Sequence, residues 1–211
     1  MMDIHSLELL DQKLTLAINS LHSAFTDPVM QFFSNKVVWI PMYAAILALI
    51  FWKLGWKRAL VLIGGILLTF LLCDQTANIV KHAVQRIRPV NDPSMLARGL
   101  HILERGGGFS FFSAHAANAF GIACCTIPVL WKFASGKRKD APCSEERKTK
   151  VGIFAKIYCA WMVIWAFMVS VSRIFVGKHF LGDVIVGTMV GITFGLAVGY
   201  LAIYAIRRIA A

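Results

Sequence analysis

Five apolar runs dominate this chain, at about residues 37–54, 59–80, 114–133, 151–171 and 182–206. A helix needs about 20 mostly apolar residues to cross the hydrocarbon of a bilayer, and each run reaches or approaches that length. The 211 residues are 58% hydrophobic and 16% charged, whereas a soluble domain carries about 25% charged residues. Because the excess falls in blocks, the sequence predicts an all-α integral membrane protein, a bundle of five transmembrane helices with six as the alternative. No polar linker is long enough to divide the chain, so one domain over 1–211 is expected. It comprises interfacial helices at 1–36, the bundle at 37–206, a loop at 89–112 and a basic loop at 134–150.

The N-terminus does not read as a cleaved leader, because Asp3, Glu8 and Asp11 interrupt it. Ile4, Leu7, Leu10 or Leu14, and Ile18 recur near helical spacing over 4–21, which predicts an amphipathic helix on the membrane surface. Thr26-Asp27-Pro28 resembles a helix start, and a second surface helix is expected to about Ser34. Trp39, Trp52, Trp56 and Trp131 are expected in interfacial belts. The five cysteines show no C-x-x-C spacing and read as small buried hydrophobes, not as disulfides or a zinc site.

Charge orients the bundle. The net charge is +11, yet there is no soluble domain to carry a nucleic-acid groove, so no nucleic-acid partner is expected. Of the 22 Lys and Arg, 13 fall at one set of helix ends, among them Lys53, Lys57, Arg58, Lys132, Lys137, Arg138, Lys139, Arg207 and Arg208. The positive-inside rule puts that set in the cytoplasm. With five spans, loop 134–150 is then cytoplasmic and loop 89–112 extracytoplasmic.

Three polar islands border the apolar runs, all on the extracytoplasmic side: Lys81 to Arg88-Pro89, Ser113-Ala114-His115, and Ser172-Arg173 with His179 and Asp183. Ionisable groups at membrane depth are costly and mark function by default. Lys81 and Arg88 are seven apart, almost two helical turns, and are expected to point the same way from one helix end. Ser113 is placed to cap the third span with His115 in its first turn, where free N–H groups favour an anion. His179 and Asp183 are four apart, so the carboxylate can hold Nδ1–H and leave Nε2 free. Arg173 can fork onto phosphate oxygens, the alternative being an ion pair between Arg173 and Asp183 that pins two helices. Arg86 has no assigned role, and His101, Glu104 and Arg105 read as solvated loop residues. Phosphoryl transfer needs cations on the non-bridging oxygens, a nucleophile, and an acid for the leaving oxygen. Lys81, Arg88 and Arg173 supply the first, and His179 and His115 the other two.

The spacings Lys-x6-Arg-Pro, Ser-x-His and Ser-Arg-x5-His-x3-Asp resemble the three signature motifs of the type-2 phosphatidic acid phosphatase superfamily, over about half the chain. Phe112 and Ala114 replace the proline and glycine of the second motif, which puts the shape of its loop in question. The resemblance implies metal-independent, cofactor-free hydrolysis of a lipid phosphate or diphosphate through a phosphohistidine. His179 would be the nucleophile, His115 the acid and Asp183 the orienting group, with Lys81, Arg88, Ser113, Ala114 and Arg173 around the phosphate. No carboxylate cluster outside the islands suits magnesium. The expected partners are a lipid phosphate and membrane lipids, and the expected location is a bacterial inner membrane with the site on the periplasmic face. Undecaprenyl diphosphate is the first expectation for substrate, then lipid A or phosphatidylglycerol phosphate. A lipid or anion transporter and a non-catalytic phospholipid-binding relative are the other classes.

Overall fold

A computed structural model describes residues 3–133 and 145–209, so the basic loop expected at 134–150 lies outside them as far as residue 144, together with Cys143. Among the described residues, eight α-helices run in order: α1 (Ile4–Asn19), α2 (Thr26–Ser34), α3 (Ile40–Leu54), α4 (Trp56–Val84), α5 (Pro93–Ala97), α6 (Ala114–Phe133), α7 (Glu145–Phe175) and α8 (Leu181–Ile209). Five segments of the described residues are long and apolar enough to cross a membrane: Val37–Leu54, Trp56–Val84, Ala114–Phe133, Gly152–Phe175 and Leu181–Ile209. No strand forms among the described residues, and a single bridge pairs Ile87 with Phe109. The all-helical membrane architecture expected from the five apolar runs is the observed one.

The bundle centres on α6 and α8, and small residues let them touch. Gly187, Gly191, Gly195 and Gly199 lie every fourth position along α8 and so share one face. A Cβ on them would stand 2.5, 2.3, 2.5 and 2.8 Å from the carbonyl oxygens of Ser113, just before α6, and of Ala117, Gly121 and Cys125 on α6. Lipid tails are as apolar as leucine, so membrane helices gain by such close van der Waals approach rather than by expelling water. The contact runs to the extracytoplasmic end expected from sequence, where Ser113 N–H donates to the Asp183 carbonyl at 3.0 Å. Helix packing thus sets the second and third islands side by side.

α1 is the amphipathic helix expected, and its polar side is the one that packs inward. Leu7, Leu10 and Leu14 are exposed, whereas Thr15 and Asn19 are buried. α2 follows and packs against α7. Trp39 departs from the interfacial expectation: it is buried and packs edge-on against Trp165, while Trp52, Trp56 and Trp131 are exposed.

Candidate functional site

The site lies where α4 ends, α6 begins, α7 ends and α8 begins. α4 stops at Val84 because Gln85 turns left-handed at φ 52°. The chain then runs extended through Arg88, with Ser110 N–H donating to the Arg86 carbonyl at 2.8 Å. Arg88 is therefore presented from an extended segment, not from the helix expected to carry it together with Lys81. The extended conformation is the one favoured before Pro89. The two cations still act on each other, and Lys81 also lies in the fields of Arg173 and Asp183.

A cleft of about 790 Å³ opens here, lined by Gln31, Ser34, Asn35, Lys36, Arg88, Glu104, Gly106, Gly107, His115, Arg173 and Lys178. Four cations, one histidine and one carboxylate make it an anion site by charge. Burial lowers the Arg88 guanidinium from its ordinary value, against the pull of Asp183. The Nε atoms of Arg88 and Arg173 are buried with no hydrogen-bond partner among the described residues. Guanidinium donors left over in a cleft suit phosphate oxygens.

His179 is 2% exposed and sits just behind this lining, within electrostatic reach of His115, Arg173 and Arg88. Its Nδ1 faces Asp183 Oδ2 at 3.4 Å. Phe180 N–H donates to the same oxygen at 3.0 Å, and Arg86 Nη1 donates to Oδ1 at 2.8 Å. Both carboxylate oxygens are thus held, and Nε2 of His179 makes no hydrogen bond among the described residues. Burial holds the imidazole down to about 4, with Asp183 opposing that fall. His179 is therefore neutral at pH 7, as a nitrogen nucleophile must be.

Ser113 is wholly buried, and its Oγ accepts from Ala116 N–H at 3.4 Å. Its own N–H is taken by the Asp183 carbonyl, so it is not one of the free donors expected there. The first-turn N–H groups of Ala114 and His115 remain, at the positive end of α6. Phe112, which departs from the family pattern, is buried against Cys73, Ala77 and Ala117 and anchors this turn. Ser172 turns away and donates to the Val169 carbonyl at 2.7 Å.

Arg173 does not pair with Asp183. Its Nη1 donates to Ser34 Oγ, and Ser34 Oγ donates in turn to Glu104 Oε1 at 2.7 Å. Lys178 Nζ donates to Glu104 Oε2 at 2.5 Å. Burial pushes the Glu104 carboxyl up, but the bonds from Lys178 and Ser34 outweigh it and hold the group below its ordinary value. Glu104 is thus part of the cleft wall, not the solvated loop residue expected. His101 is also engaged, with Nε2 at 3.0 Å from Asp27 Oδ2 and its ring stacked on His22.

The largest omission from the sequence reading is Arg86. It bridges Asp183 to Asp11 of α1, with Nη2 donating to Asp11 Oδ2 at 2.7 Å, and stacks on Phe180 at 3.7 Å. Asp11 Oδ1 accepts from Gly182 N–H at 2.7 Å, and Thr15 Oγ1 accepts from Leu181 N–H at 2.9 Å. These are first-turn donors of α8, which have no partner in their own helix. α1 therefore caps α8 from outside and leaves the start of α6 as the free helix end at the cleft. Asn19 completes the contact by donating to the Ile174 and Phe175 carbonyls at 3.2 and 3.1 Å. The available signal was Asp11, Thr15 and Asn19 at four-residue spacing, a polar stripe opposite the leucines.

Over 185 residues the chain is 36% identical to a lipid A 4'-phosphatase of Bacteroides thetaiotaomicron, an alignment covering 86% of this chain and 72% of that protein. A lipid A 4'-phosphatase of Porphyromonas gingivalis is 29% identical over 202 residues, covering 94% of this chain and 75% of that one. In fold it resembles the crystal structure of a transmembrane PAP2-type phosphatidylglycerolphosphate phosphatase from Bacillus subtilis. The TM-score is 0.66 at 19% identity, over 97% of this chain and 88% of the other. Residues 58–207, which hold all three polar islands, match the PAP2 superfamily along their whole length, and the chain belongs to that superfamily.

Proposed function

We propose that the protein is a membrane lipid phosphatase that removes phosphate from an acylated glycolipid of the lipid A type, working through a phosphohistidine at His179. The observation that carries the reaction is the buried His179, oriented by Asp183 beside a cleft with Lys36, Arg88, Arg173 and Lys178. His179 Nε2 attacks phosphorus while the bond to the lipid oxygen breaks, and His115 delivers a proton to that oxygen. His115 then takes a proton from water as the water attacks phosphorus. The phosphorus–nitrogen bond breaks, and inorganic phosphate leaves. Arg88, Arg173, Lys81 and the N–H groups of Ala114 and His115 hold the non-bridging oxygens through both steps. Ser113 acts from behind by fixing the turn that presents them.

For the substrate, the similarity to two lipid A 4'-phosphatases favours a glycolipid phosphate over undecaprenyl diphosphate, which led the expectation from sequence. The lysine- and arginine-rich helix ends opposite the cleft favour a bacterial inner membrane with the site on the periplasmic side.

The test is phosphate release from lipid A, undecaprenyl diphosphate and phosphatidylglycerol phosphate by purified protein in EDTA. Lipid A is expected to turn over fastest, and His179→Ala is expected to be inactive on all three. Loss of activity in EDTA, or wild-type rates from His179→Ala, refutes the mechanism.

A further inference from the structure

Outside the phosphate cleft, the described residues bring three metal-ligating side chains together at one place: His22, Asp27 and His101. They come from three segments. His22 lies in the turn between α1 and α2, Asp27 in the first turn of α2, and His101 in loop 89–112. One ligand atom of each lies within 4.8 Å of those of the other two. None of the three lines the cleft, and the phosphatase chemistry uses none of them.

His101 Nε2 and Asp27 Oδ2 are 3.0 Å apart, and the His22 ring lies 3.8 Å from the His101 ring, parallel to within 9°. Two ligands of a tetrahedral zinc ion, each about 2.0 Å from the metal, stand roughly 3.3 Å apart. The edge between His101 and Asp27 is therefore close to that of a zinc site as it stands. His22 is exposed and rests at stacking distance, so a turn of its side chain directs a ring nitrogen to the same point. A hydrogen bond between His101 and Asp27 accounts for neither the second imidazole nor the other carboxylate oxygen. That oxygen, Asp27 Oδ1, is buried and has no hydrogen-bond partner among the described residues. A buried carboxylate oxygen without a donor is costly, and a bound cation offsets that cost. The backbone around the cluster is already fixed. Buried Asn19 accepts from the His101 N–H at 2.8 Å and donates to the His101 carbonyl at 3.0 Å. The Asn19 carbonyl also accepts from the His22 N–H at 3.2 Å. Both histidines are thus tied to one residue, which leaves little chain entropy to lose on binding.

We propose that His22, Asp27 and His101 form a zinc-binding clasp that pins loop 89–112 to the turn between α1 and α2, with water in the fourth position. Two imidazoles and one carboxylate suit zinc, whereas calcium and magnesium take oxygen ligands. On binding, the ion replaces the hydrogen bond between Nε2 and Oδ2, and the neutral His101 ring keeps its proton on Nδ1. The clasp is structural. Asn19 holds the loop without it, so turnover does not require the ion.

Full-length protein without a histidine tag is solubilised in detergent, stripped with EDTA, freed of chelator and titrated with zinc ion alone. Wild type is expected to bind one ion at this site, with Tm raised by roughly 5 °C once zinc reaches about a hundred times its Kd. His22→Ala and Asp27→Asn are each expected to weaken binding by at least about tenfold and to cancel the rise in Tm. His22→Ala is expected to keep the wild-type rate of phosphate release. X-ray absorption of the zinc-loaded wild type, which needs no variant to fold, is expected to show nitrogen and oxygen neighbours at about 2.0 Å. No binding by wild type, binding unchanged in His22→Ala, or sulfur neighbours at about 2.3 Å overturns the clasp. Each of those outcomes leaves the phosphatase reading intact, whereas loss of turnover in EDTA strikes that reading and leaves the binding result standing.

Discussion

At the scale of single residues, the charge on Asp183 is held by three donors of different origin: His179, the Phe180 N–H and Arg86. Arg86 alone links that carboxylate to α1, through Asp11. Replacing it with leucine leaves Asp183 buried and short of a partner, which costs about 3 kcal/mol of stability. Loosening the imidazole is expected to lower kcat by roughly tenfold to a hundredfold, with a smaller change in KM. Steady-state kinetics and thermal melting of Arg86→Leu check both. Arg86→Lys is expected to recover little, because a point charge cannot fork between two carboxylates. The pH profile tests His179. Burial holds it at about 4, below the ordinary 6.5, so it stays neutral through the mildly acidic range and protonates only near pH 4. The acid limb of kcat/KM assigned to this group is therefore expected near pH 4, and a limb near 6.5 refutes the assignment. In stability the sign is the same. An unfolded histidine takes its proton first, so the contribution of His179 is complete above about 6.5 and is lost as pH falls toward 4. Lys81, Arg88, Ser113, His115, Arg173, His179 and Asp183 stood out as candidates in the sequence because motif spacing survives there. Arg86 and Glu104 were not, because their partners lie 75 and 70 residues away, at Asp11 and Ser34.

At the scale of elements, the site depends on how closely α6 and α8 approach. Gly191 faces the Ala117 carbonyl so tightly that a Cβ would stand 2.3 Å from it. Gly191→Ala is expected to cost about 1–3 kcal/mol by overpacking. It is also expected to reduce activity, because the same contact seats Ser113, whose N–H donates to the Asp183 carbonyl. Gly64 on α4 has no atom within 4 Å of such a Cβ, so Gly64→Ala serves as the control and is expected to melt at or above the wild-type temperature. Thermal unfolding in detergent separates the two. The third span was expected at 114–133 and is α6 (Ala114–Phe133), because a polar cap begins it. The second was expected at 59–80, with its helix continuing through Lys81 toward Arg88; α4 (Trp56–Val84) does pass Lys81 but stops at Val84, because Gln85 turns left-handed. α1 was legible by its leucines, yet its inward face was not, since which side of an amphipathic helix meets protein depends on the neighbours.

For the whole molecule, the cleft and the lysine- and arginine-rich ends of the spans lie at opposite ends of the bundle. Lys53, Lys57, Arg58, Lys132, Arg207 and Arg208 sit where α3 ends, α4 begins, α6 ends and α8 ends. A cysteine introduced by Gly107→Cys, in the cleft lining, is expected to react with a membrane-impermeant thiol reagent added to intact cells. Lys132→Cys is expected to react only after permeabilisation. The reverse pattern would put the site on the cytoplasmic side and remove periplasmic substrates from consideration.

By itself the sequence determined the number of spans, the end of the bundle at which the polar islands meet, and the chemical types available there. Run length, charge bias and motif spacing are local properties, written in consecutive residues. Tertiary structure alone decided which cations face the cleft, that α1 caps α8 through Asp11 and Thr15, and that His22, Asp27 and His101 meet at one place. Those features arise from pairs separated by up to 171 residues. Packing brings such pairs together, and the chain does not encode them in any repeating pattern.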